Sequence, residues 1–263
     1  MIPFADGRLI LHPGRVARIE INAPDRRNAM SRAMWHAIPS ICSTIEADQS
    51  VRAVLLTGAA KVGATFSAGA DITEFEEVYA TAETTSEYNA MVRRAQACLR
   101  ILDRPVIAVV AGACVGGGCG LALAADLRFA AHEARFGITA ARLGLGYSPE
   151  DTAQLVEKVG PARAKDLLFS ARLITAEEAL SIGLIERIFP GADLLTEATA
   201  YAEGLANLSS FSIRATKATI NRLASPDEAV SAALHATFVA GFEGPDFKEG
   251  RAAFIARRKP SFG

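Results

Sequence analysis

Residues 112–127, GACVGGGCGLALAADL, place three consecutive glycines between an apolar run and an alanine-rich segment. Glycine has no Cβ atom, so a ligand can approach the backbone N–H groups of such a turn directly. Where a helix begins, those N–H groups have no intrahelical acceptor and lie at the positive end of the helix dipole. The stretch therefore predicts a site for an anion or for an oxyanion that develops during a reaction. Close packing of a helix on a strand is the structural alternative.

The familiar glycine motifs do not fit this stretch. The spacing of the dinucleotide fingerprint is absent, no Walker lysine follows, and there is no G-x-S-x-G elbow of the hydrolase type. A second loop of small residues, ATFSAGADITEF at 64–75, follows another apolar run. Two such loops at the ends of neighbouring parallel strands could direct two N–H groups at one carbonyl oxygen.

The elements that must position these loops alternate between strands and helices. VRAVLLTG and RPVIAVVAG are continuously apolar, which is typical of strands buried on both faces. A helix is predicted after the N-cap Ser31, with a kink or break at Pro39, and another near residues 85–103. Further strands are predicted in RLILH and VARIEIN, which form a hairpin, and in LRFAA and ARFGI. This alternation indicates an α/β protein built from parallel βαβ units.

Beyond residue 148 the sequence predicts an almost wholly helical region. SPEDTAQLVEKVG, GPARAKDLLFSA and TAEEALSIGL each begin with a hydroxyl cap, a proline in the first turn, or acids behind it. We expect an α/β core over residues 1–200 and a helical region over residues 201–263. Alanine-rich helices that are apolar on more than one face favour packing on another subunit.

Composition excludes several classes of function. Half of the 263 residues are hydrophobic and the formal net charge is −1, so no charge field favours nucleic acid or an anionic membrane. The N-terminus has no leader pattern, and no apolar run of about 18 residues could span a bilayer. The four cysteines are scattered without paired zinc spacing. We expect a cytoplasmic protein with no metal, no nucleic-acid partner and no membrane partner.

Several motifs, in order along nearly the whole chain, resemble the crotonase (enoyl-CoA hydratase/isomerase) superfamily: FSAGADI, the glycine run after PVIAVVAG, FGITAARLGLG, ITAEEALSIGLI and KEGRAAFIARRKPSF. The resemblance implies a spiral of ββα repeats with a C-terminal helical trimerisation region, and a homo-oligomer that is a trimer or a dimer of trimers. It implies an acyl-CoA substrate, with coenzyme A as part of the thioester and no separate cofactor. The backbone N–H groups of Ala70 and Gly117 would hold the thioester oxygen as it becomes an enolate.

The same resemblance implies how coenzyme A is bound. In the segment DRRNAM, Arg26 or Arg27 matches the basic position that contacts the phosphates. Near the C-terminus, Phe254 and Arg257 match positions that approach the nucleotide, often from a neighbouring subunit. The channel for adenine and pantetheine would be lined by Ala29, Ala68, Ala70, Asp71 and Ile72.

Two acids that the resemblance leads one to expect are missing. Hydratases of this superfamily read G-G-G-C-E and F-G-x-P-E, and the two glutamates position water and move its proton. Here Gly120 and Ala140 occupy those positions. An acid or base in such a role contributes roughly 10²–10⁴-fold to the rate. An efficient hydratase with the usual pair is not expected, and the ordinary single-acid isomerase is also disfavoured.

Substitute groups lie in GLGYSPEDTAQ, next to the expected pocket. Tyr147, Glu150 and Asp151 are candidates there, although Ser148 and the two acids also fit an ordinary helix start. SPDEAV at 225–230 repeats that pattern far from any matched site residue. Some branches of the superfamily place a catalytic aspartate at the position of Ser148. Weaker candidates are Glu74, Cys119 and His132.

Tyr147 favours a different chemistry. The pattern F-x-x-T-x-x-x-L-G-x-x-Y, ending at Tyr147, resembles the methylmalonyl-CoA decarboxylase branch. That branch differs in having histidine at the position of Ala70 and glutamate at the position of Gly120. Decarboxylation suits a site poor in acids, so the leading hypothesis is a decarboxylase-like lyase. The alternatives are an atypical enoyl-CoA hydratase/isomerase with a substitute acid near residues 147–151, and a non-catalytic acyl-CoA-binding protein.

Overall fold

The computed structural model describes residues 1–59, 65–223, 244–258 and 261. Its larger sheet confirms the α/β class. In spatial order the strands are β1 (Ile2–Phe4), β2 (Leu9–His12), β3 (Val16–Ile21), β4 (Ala53–Gly58), β5 (Val106–Val110), β7 (Leu127–Ala131) and β10 (Arg187–Phe189). The first three strands pair antiparallel, which confirms the hairpin. From β3 onward the pairing is parallel, as the alternation of strands and helices predicts.

Helices cover both faces of this sheet. On β4, Val54 and Leu56 pack with residues of α1 (Arg32–Ala47) and α3 (Ala82–Ile101). Ala53 and Leu55 point to the opposite face, where α7 (Leu194–Ala206) covers them. Apolar side chains are therefore needed on both faces of the strand, which explains the continuous apolar run in its sequence.

A smaller sheet lies after β5 and contains β6 (Ala113–Val115), β8 (Arg135–Gly137) and β9 (Leu173–Thr175). Strand β6, which was not predicted from the sequence, separates β5 from the glycine-rich helix α4 (Gly117–Leu123). The expectation of an almost wholly helical chain beyond residue 148 is wrong, because β9 and β10 lie there. Three-residue strands are too short to show a hydrophobic period in the sequence. They form because they pair with neighbouring strands.

The predicted helix caps are present at Ser31 and Ser148, whose hydroxyls accept from Met34 N and Asp151 N. A break at Pro39 is wrong, since α1 continues through it. In α5 (Pro149–Ser170) the helix is interrupted at Gly160, where φ is 77°. The remaining helices are α2 (Phe75–Val78), α6 (Ala176–Ser181), α8 (Ser210–Leu223) and α9 (Pro245–Ile255).

The division of the chain at residue 200 remains a prediction, and that residue falls inside α7. The comparison segment at 225–230 lies outside the described residues. None of the described helices is long and apolar enough to cross a bilayer.

Candidate active site

The two small-residue loops lie side by side. Segment 65–71 forms a parallel bridge with Met30 at Ala70, and another with β6 at Ser67. Met30 N–H donates to Gly69 O at 2.7 Å, and Asp71 N–H donates to Met30 O at 3.0 Å. In a parallel pairing these bonds use the residues that flank Ala70 and direct its own N–H to the other side. No acceptor among the described residues bonds that N–H.

A glycine with positive φ precedes each proposed N–H donor. Gly69, before Ala70, has φ 104°, and Gly116, before Gly117, has φ 54°. Side chains rarely adopt these angles, so glycine is the residue that turns each chain before its donor. Ala70 N lies 3.4 Å from the point where a Cβ atom on Gly117 would be. The two backbones that the sequence analysis paired are therefore neighbours.

Gly118 allows α4 to approach segment 65–71. A Cβ atom on Gly118 would lie 2.5 Å from Ser67 O, a distance that real Cβ contacts do not show. The glycine run therefore fits both interpretations, close packing and an exposed backbone donor. Gly118 permits close packing, and Gly117 exposes a backbone N–H beside Ala70.

Asp151 and Gln96 lie in front of Gly120. A Cβ atom on Gly120 would lie 2.5 Å from Gln96 Nε2, and 2.9 and 3.0 Å from Oδ1 and Oδ2 of Asp151. Gly117 and Gly120 are three residues apart on α4, so they share one face of the helix. Asp151 of α5 therefore places a carboxyl group beside position 120 of α4.

The two acids at the start of α5 have different environments. Asp151 is only 4% exposed, and its Oδ1 has no hydrogen-bond partner in the described structure. Burial raises the pKa of Asp151, although the Ser148 hydroxyl and the Gln96 amide oppose the rise. Glu150 is exposed on the surface and lies 3.5 Å from Arg93. Of this pair, Asp151 is the one that lies beside Gly120.

Tyr147 also reaches the site. Its hydroxyl donates to Gly116 O at 3.2 Å, directly before the Gly117 N–H. Burial raises the pKa of Tyr147, and the Asp151 carboxylate adds to the rise. The phenol is therefore neutral at physiological pH, and its proton is directed at the backbone of the glycine turn.

The other candidates for acid or base are engaged elsewhere. Glu74 accepts a hydrogen bond from Arg32 N at 2.8 Å. Cys119 points inward and donates to Cys114 O at 2.8 Å. His132 is on the surface, 3.6 Å from Glu177. Ala140 begins a short 3₁₀ helix over Ala140–Leu143 and packs against the core.

The two arginines proposed for phosphate contact differ in their surroundings. Arg26 donates to Asp71 Oδ2 at 2.6 Å and to Thr73 Oγ1 at 3.2 Å. Burial opposes ionisation of Asp71, but the hydrogen bonds from Thr73 and Arg26 outweigh it and lower the pKa. Arg27 is exposed, and its side chain has no partner among the described residues. Its carbonyl accepts from Ala68 N at 3.0 Å, so Arg27 is the cation left available beside the loop.

The structure describes most, but not all, of the other residues predicted to contact coenzyme A. Ala29 and Ala68 are half-buried and Ile72 is 68% exposed. Arg257 is exposed just after α9, and the side chain of Phe254 lies outside the described residues. In the described part of the chain, no three His, Cys, Asp or Glu side chains cluster as a metal site.

Gln96 is the site residue that the sequence analysis missed. It lies on α3 in a stripe of buried positions with Ala95 and Leu99. A polar side chain inside an apolar helical stripe was the available signal. On α5, Asp151 is followed at intervals of four residues by the buried residues Leu155 and Val159. This helical spacing predicts that Asp151 is buried and that Glu150 is not.

Comparisons with known proteins find relatives along nearly the whole chain. The family model described as enoyl-CoA hydratase/isomerase matches residues 12–263. A short-chain-enoyl-CoA hydratase of Clostridium acetobutylicum is 35% identical over 249 residues, covering 94% of this chain and 93% of the relative. A crystal structure of an enoyl-CoA hydratase/isomerase family protein from Hyphomonas neptunium has a TM-score of 0.92 and 41% identity, covering 97% of each chain. An enoyl-CoA hydratase/carnithine racemase from Magnetospirillum magneticum has a TM-score of 0.90 and 34% identity, covering 97% of this chain and 95% of that one.

Proposed function

The chain belongs to the enoyl-CoA hydratase/isomerase family, and on that premise we propose that it is an atypical hydratase/isomerase that uses Asp151 as its acid and base. The substrate is an enoyl-CoA thioester. Ala70 and Gly117 hold the thioester oxygen, and Asp151 moves the proton. Names of relatives such as short-chain-enoyl-CoA hydratase support the substrate class.

Enolate stabilisation is the part of the chemistry that the backbone supplies. When a proton leaves Cα, or a nucleophile adds at Cβ, negative charge develops on the thioester oxygen. Two fixed N–H donors favour that charge because they need no reorganisation as it forms. The removal of one such donor in an enzyme typically costs about 3–4 kcal/mol of barrier. The adjacent Ala70 and Gly117 backbones support this role.

The single observation that carries the proposal is the Asp151 carboxyl group in front of Gly120. It is buried, its pKa is raised, and it lies next to Gly120, one helical turn along α4 from Gly117. A base is most effective when its pKa is raised toward the working pH. Asp151 has that property, whereas the exposed Glu150 does not face the site.

The decarboxylase-like hypothesis is less well supported. It requires a site poor in acids, and the Asp151 carboxyl group lies beside Gly120. An ionised Asp151 would repel the carboxylate of a malonyl-type substrate. The hypothesis was based on the pattern that ends at Tyr147, and the Tyr147 hydroxyl donates to Gly116 O.

Binding of coenzyme A follows from the same assignment. We place Arg27 at the phosphates, because Arg26 is already paired with Asp71. Phe254 and Arg257 remain proposed nucleotide contacts from a neighbouring subunit of a trimer or a dimer of trimers. A cytoplasmic location likewise remains a prediction.

The proposal is tested by steady-state kinetics with three CoA thioesters. Crotonyl-CoA reports hydration, 3-hexenoyl-CoA reports isomerisation and methylmalonyl-CoA reports decarboxylation. The wild type is expected to turn over crotonyl-CoA or 3-hexenoyl-CoA in preference to methylmalonyl-CoA. Asp151→Asn is expected to lower kcat by about 100-fold or more, as for loss of a general acid or base.

Glu150→Gln is the matched control, since it removes the adjacent acid outside the pocket, and kcat should change by less than about threefold. Equal losses in the two variants would remove Asp151 from the mechanism. Preferred turnover of methylmalonyl-CoA would establish the decarboxylase alternative. Binding of all three thioesters without turnover would identify a non-catalytic acyl-CoA-binding protein.

A further inference from the structure

Two buried polar side chains in front of Gly120 have atoms that lack a hydrogen-bond partner in the described structure. They are Gln96 Nε2, a donor, and Asp151 Oδ1, an acceptor. Gln96 is 3% exposed and Asp151 is 4% exposed. Buried polar atoms are almost always paired, so two unpaired ones in one place require an explanation.

Both atoms face the same point. Gln96 Nε2 lies 2.5 Å, and Asp151 Oδ1 2.9 Å, from the position that a Cβ atom on Gly120 would take. The Gln96 amide is close enough to the Asp151 carboxyl group to hold its pKa down as a hydrogen-bond donor, but the geometry leaves both Gln96 Nε2 and Asp151 Oδ1 without a regular partner. A third group that accepts from Gln96 and donates to Asp151 would satisfy both. Water has this combination of donor and acceptor capacity.

We infer that Gln96 and Asp151 together position the water molecule that the enzyme adds to its substrate, so that hydration is the reaction of this site. The inference rests on the proposed function and selects hydration from the two reactions it allows. Gln96 is a positioning residue, because it orients the water and exchanges no proton. Its amide takes the place of a second carboxyl group.

The hydration step balances with these groups alone. The water oxygen bonds to Cβ of the enoyl group while its proton passes to the Asp151 carboxylate. The electron pair of the double bond moves to the thioester oxygen, where the Ala70 and Gly117 N–H groups hold the enolate. The protonated Asp151 then returns the proton to Cα, which gives the 3-hydroxyacyl thioester and an ionised Asp151.

The test separates water addition from proton transfer. Crotonyl-CoA hydration needs both the water and the base. Exchange of the Cα protons of butyryl-CoA in D₂O needs the base and the oxyanion donors, but no water addition. Gln96→Met is expected to lower kcat for hydration by about 100-fold, because a misplaced reactant costs about that much. Cα exchange should change by less than about threefold, and Asp151→Asn should abolish both activities.

Gln154→Met is the matched control. Gln154 also has a buried oxygen without a partner in the described structure, but it lines the cavity between α5 and α8, which neither Gln96 nor Asp151 lines. Its hydration rate should equal that of the wild type. If Gln96→Met does not fold, as judged by thermal unfolding, Gln96→Asn serves in its place, because it withdraws the amide from the same point.

Three results would overturn the inference. They are unchanged hydration in the Gln96 variant, an equal loss of hydration and exchange, and a wild type that exchanges Cα protons or isomerises 3-hexenoyl-CoA without hydrating crotonyl-CoA. The last result would leave the proposed function standing. A wild type that neither hydrates, isomerises nor exchanges would overturn the proposed function as well.

Discussion

Asp151 and Glu150 show how two adjacent acids acquire different roles. Asp151 shares the buried stripe of α5 with Leu155 and Val159, whereas Glu150 is rotated toward solvent and Arg93. Burial of a carboxyl group without a full set of hydrogen bonds costs free energy. A protein retains such a group where function requires it, because sites built for activity often reduce stability.

Asp151→Asn is therefore expected to stabilise the protein while it removes activity. The folded-state pKa of Asp151 is raised above the usual value of 3.8, so the folded protein holds this proton more tightly than the unfolded chain does. The stabilising effect of the proton is present below pH 3.8 and is lost as the pH rises through the raised pKa. Asparagine avoids that loss, and we expect a gain of about 1–2 kcal/mol at neutral pH.

Urea unfolding of both proteins between pH 5 and pH 8 measures this difference. The advantage of Asp151→Asn should shrink as the pH is lowered. A variant that is less stable than the wild type at every pH would show that the ionised carboxylate is held by favourable contacts.

At this scale the sequence supported the backbone donors better than the side chains. Two loops of small residues predicted a pair of backbone donors, and the family resemblance assigned them to Ala70 and Gly117. For Gln96 the sequence offers only a polar residue within the buried stripe of α3, and its role depends on neighbours that lie on α4 and α5. Which side of α5 Asp151 occupies is indicated by the spacing of the apolar residues that follow it. The helix-cap pattern explains Glu150 and Asp151 equally well and does not distinguish them.

At the scale of elements, the site depends on how closely α4 approaches segment 65–71. Helix propensity alone favours alanine over glycine inside a helix. Gly118 of α4 runs against that preference, and an added Cβ atom there would overlap Ser67 O. The short distance between these elements is what places Gly117 beside Ala70.

Gly118→Ala is expected to lower the free energy of unfolding by about 1–3 kcal/mol through overpacking. It should also lower kcat/KM by about tenfold or more, because the two N–H donors move apart. Gly204→Ala in α7 is the matched control, since nothing lies within 4 Å of its added Cβ atom. This control should gain up to about 1 kcal/mol from helix propensity. A Gly118 variant that gains stability and keeps its activity would contradict this account.

The longer elements could be predicted from sequence because their period and their caps are local. β4 and β5 are continuous apolar runs, and the hydroxyl caps at Ser31 and Ser148 begin α1 and α5. Strands β6, β9 and β10 could not, since each has three residues and is defined by its neighbours in a sheet. Helix α1 also continues through Pro39, although proline inside a helix usually predicts a kink or a break.

At the scale of the whole molecule, the parallel sheet brings residues from distant parts of the chain to one place. Ala70 follows β4, Gly117 follows β6, Gln96 lies on α3, and Asp151 begins α5. The fold class follows from the alternation of strands and helices, and the family follows from motifs spread along the chain. The chemistry depends on side chains that only the packed structure brings together.

The most direct test of the account is a crystal structure with butyryl-CoA, a saturated thioester that cannot be hydrated. We expect the thioester oxygen to accept hydrogen bonds from both Ala70 N and Gly117 N at about 2.7–3.1 Å. Asp151 should lie closest to Cα and Cβ among the acidic side chains. A thioester oxygen bound elsewhere, or bound by only one of the two amides, would contradict the account.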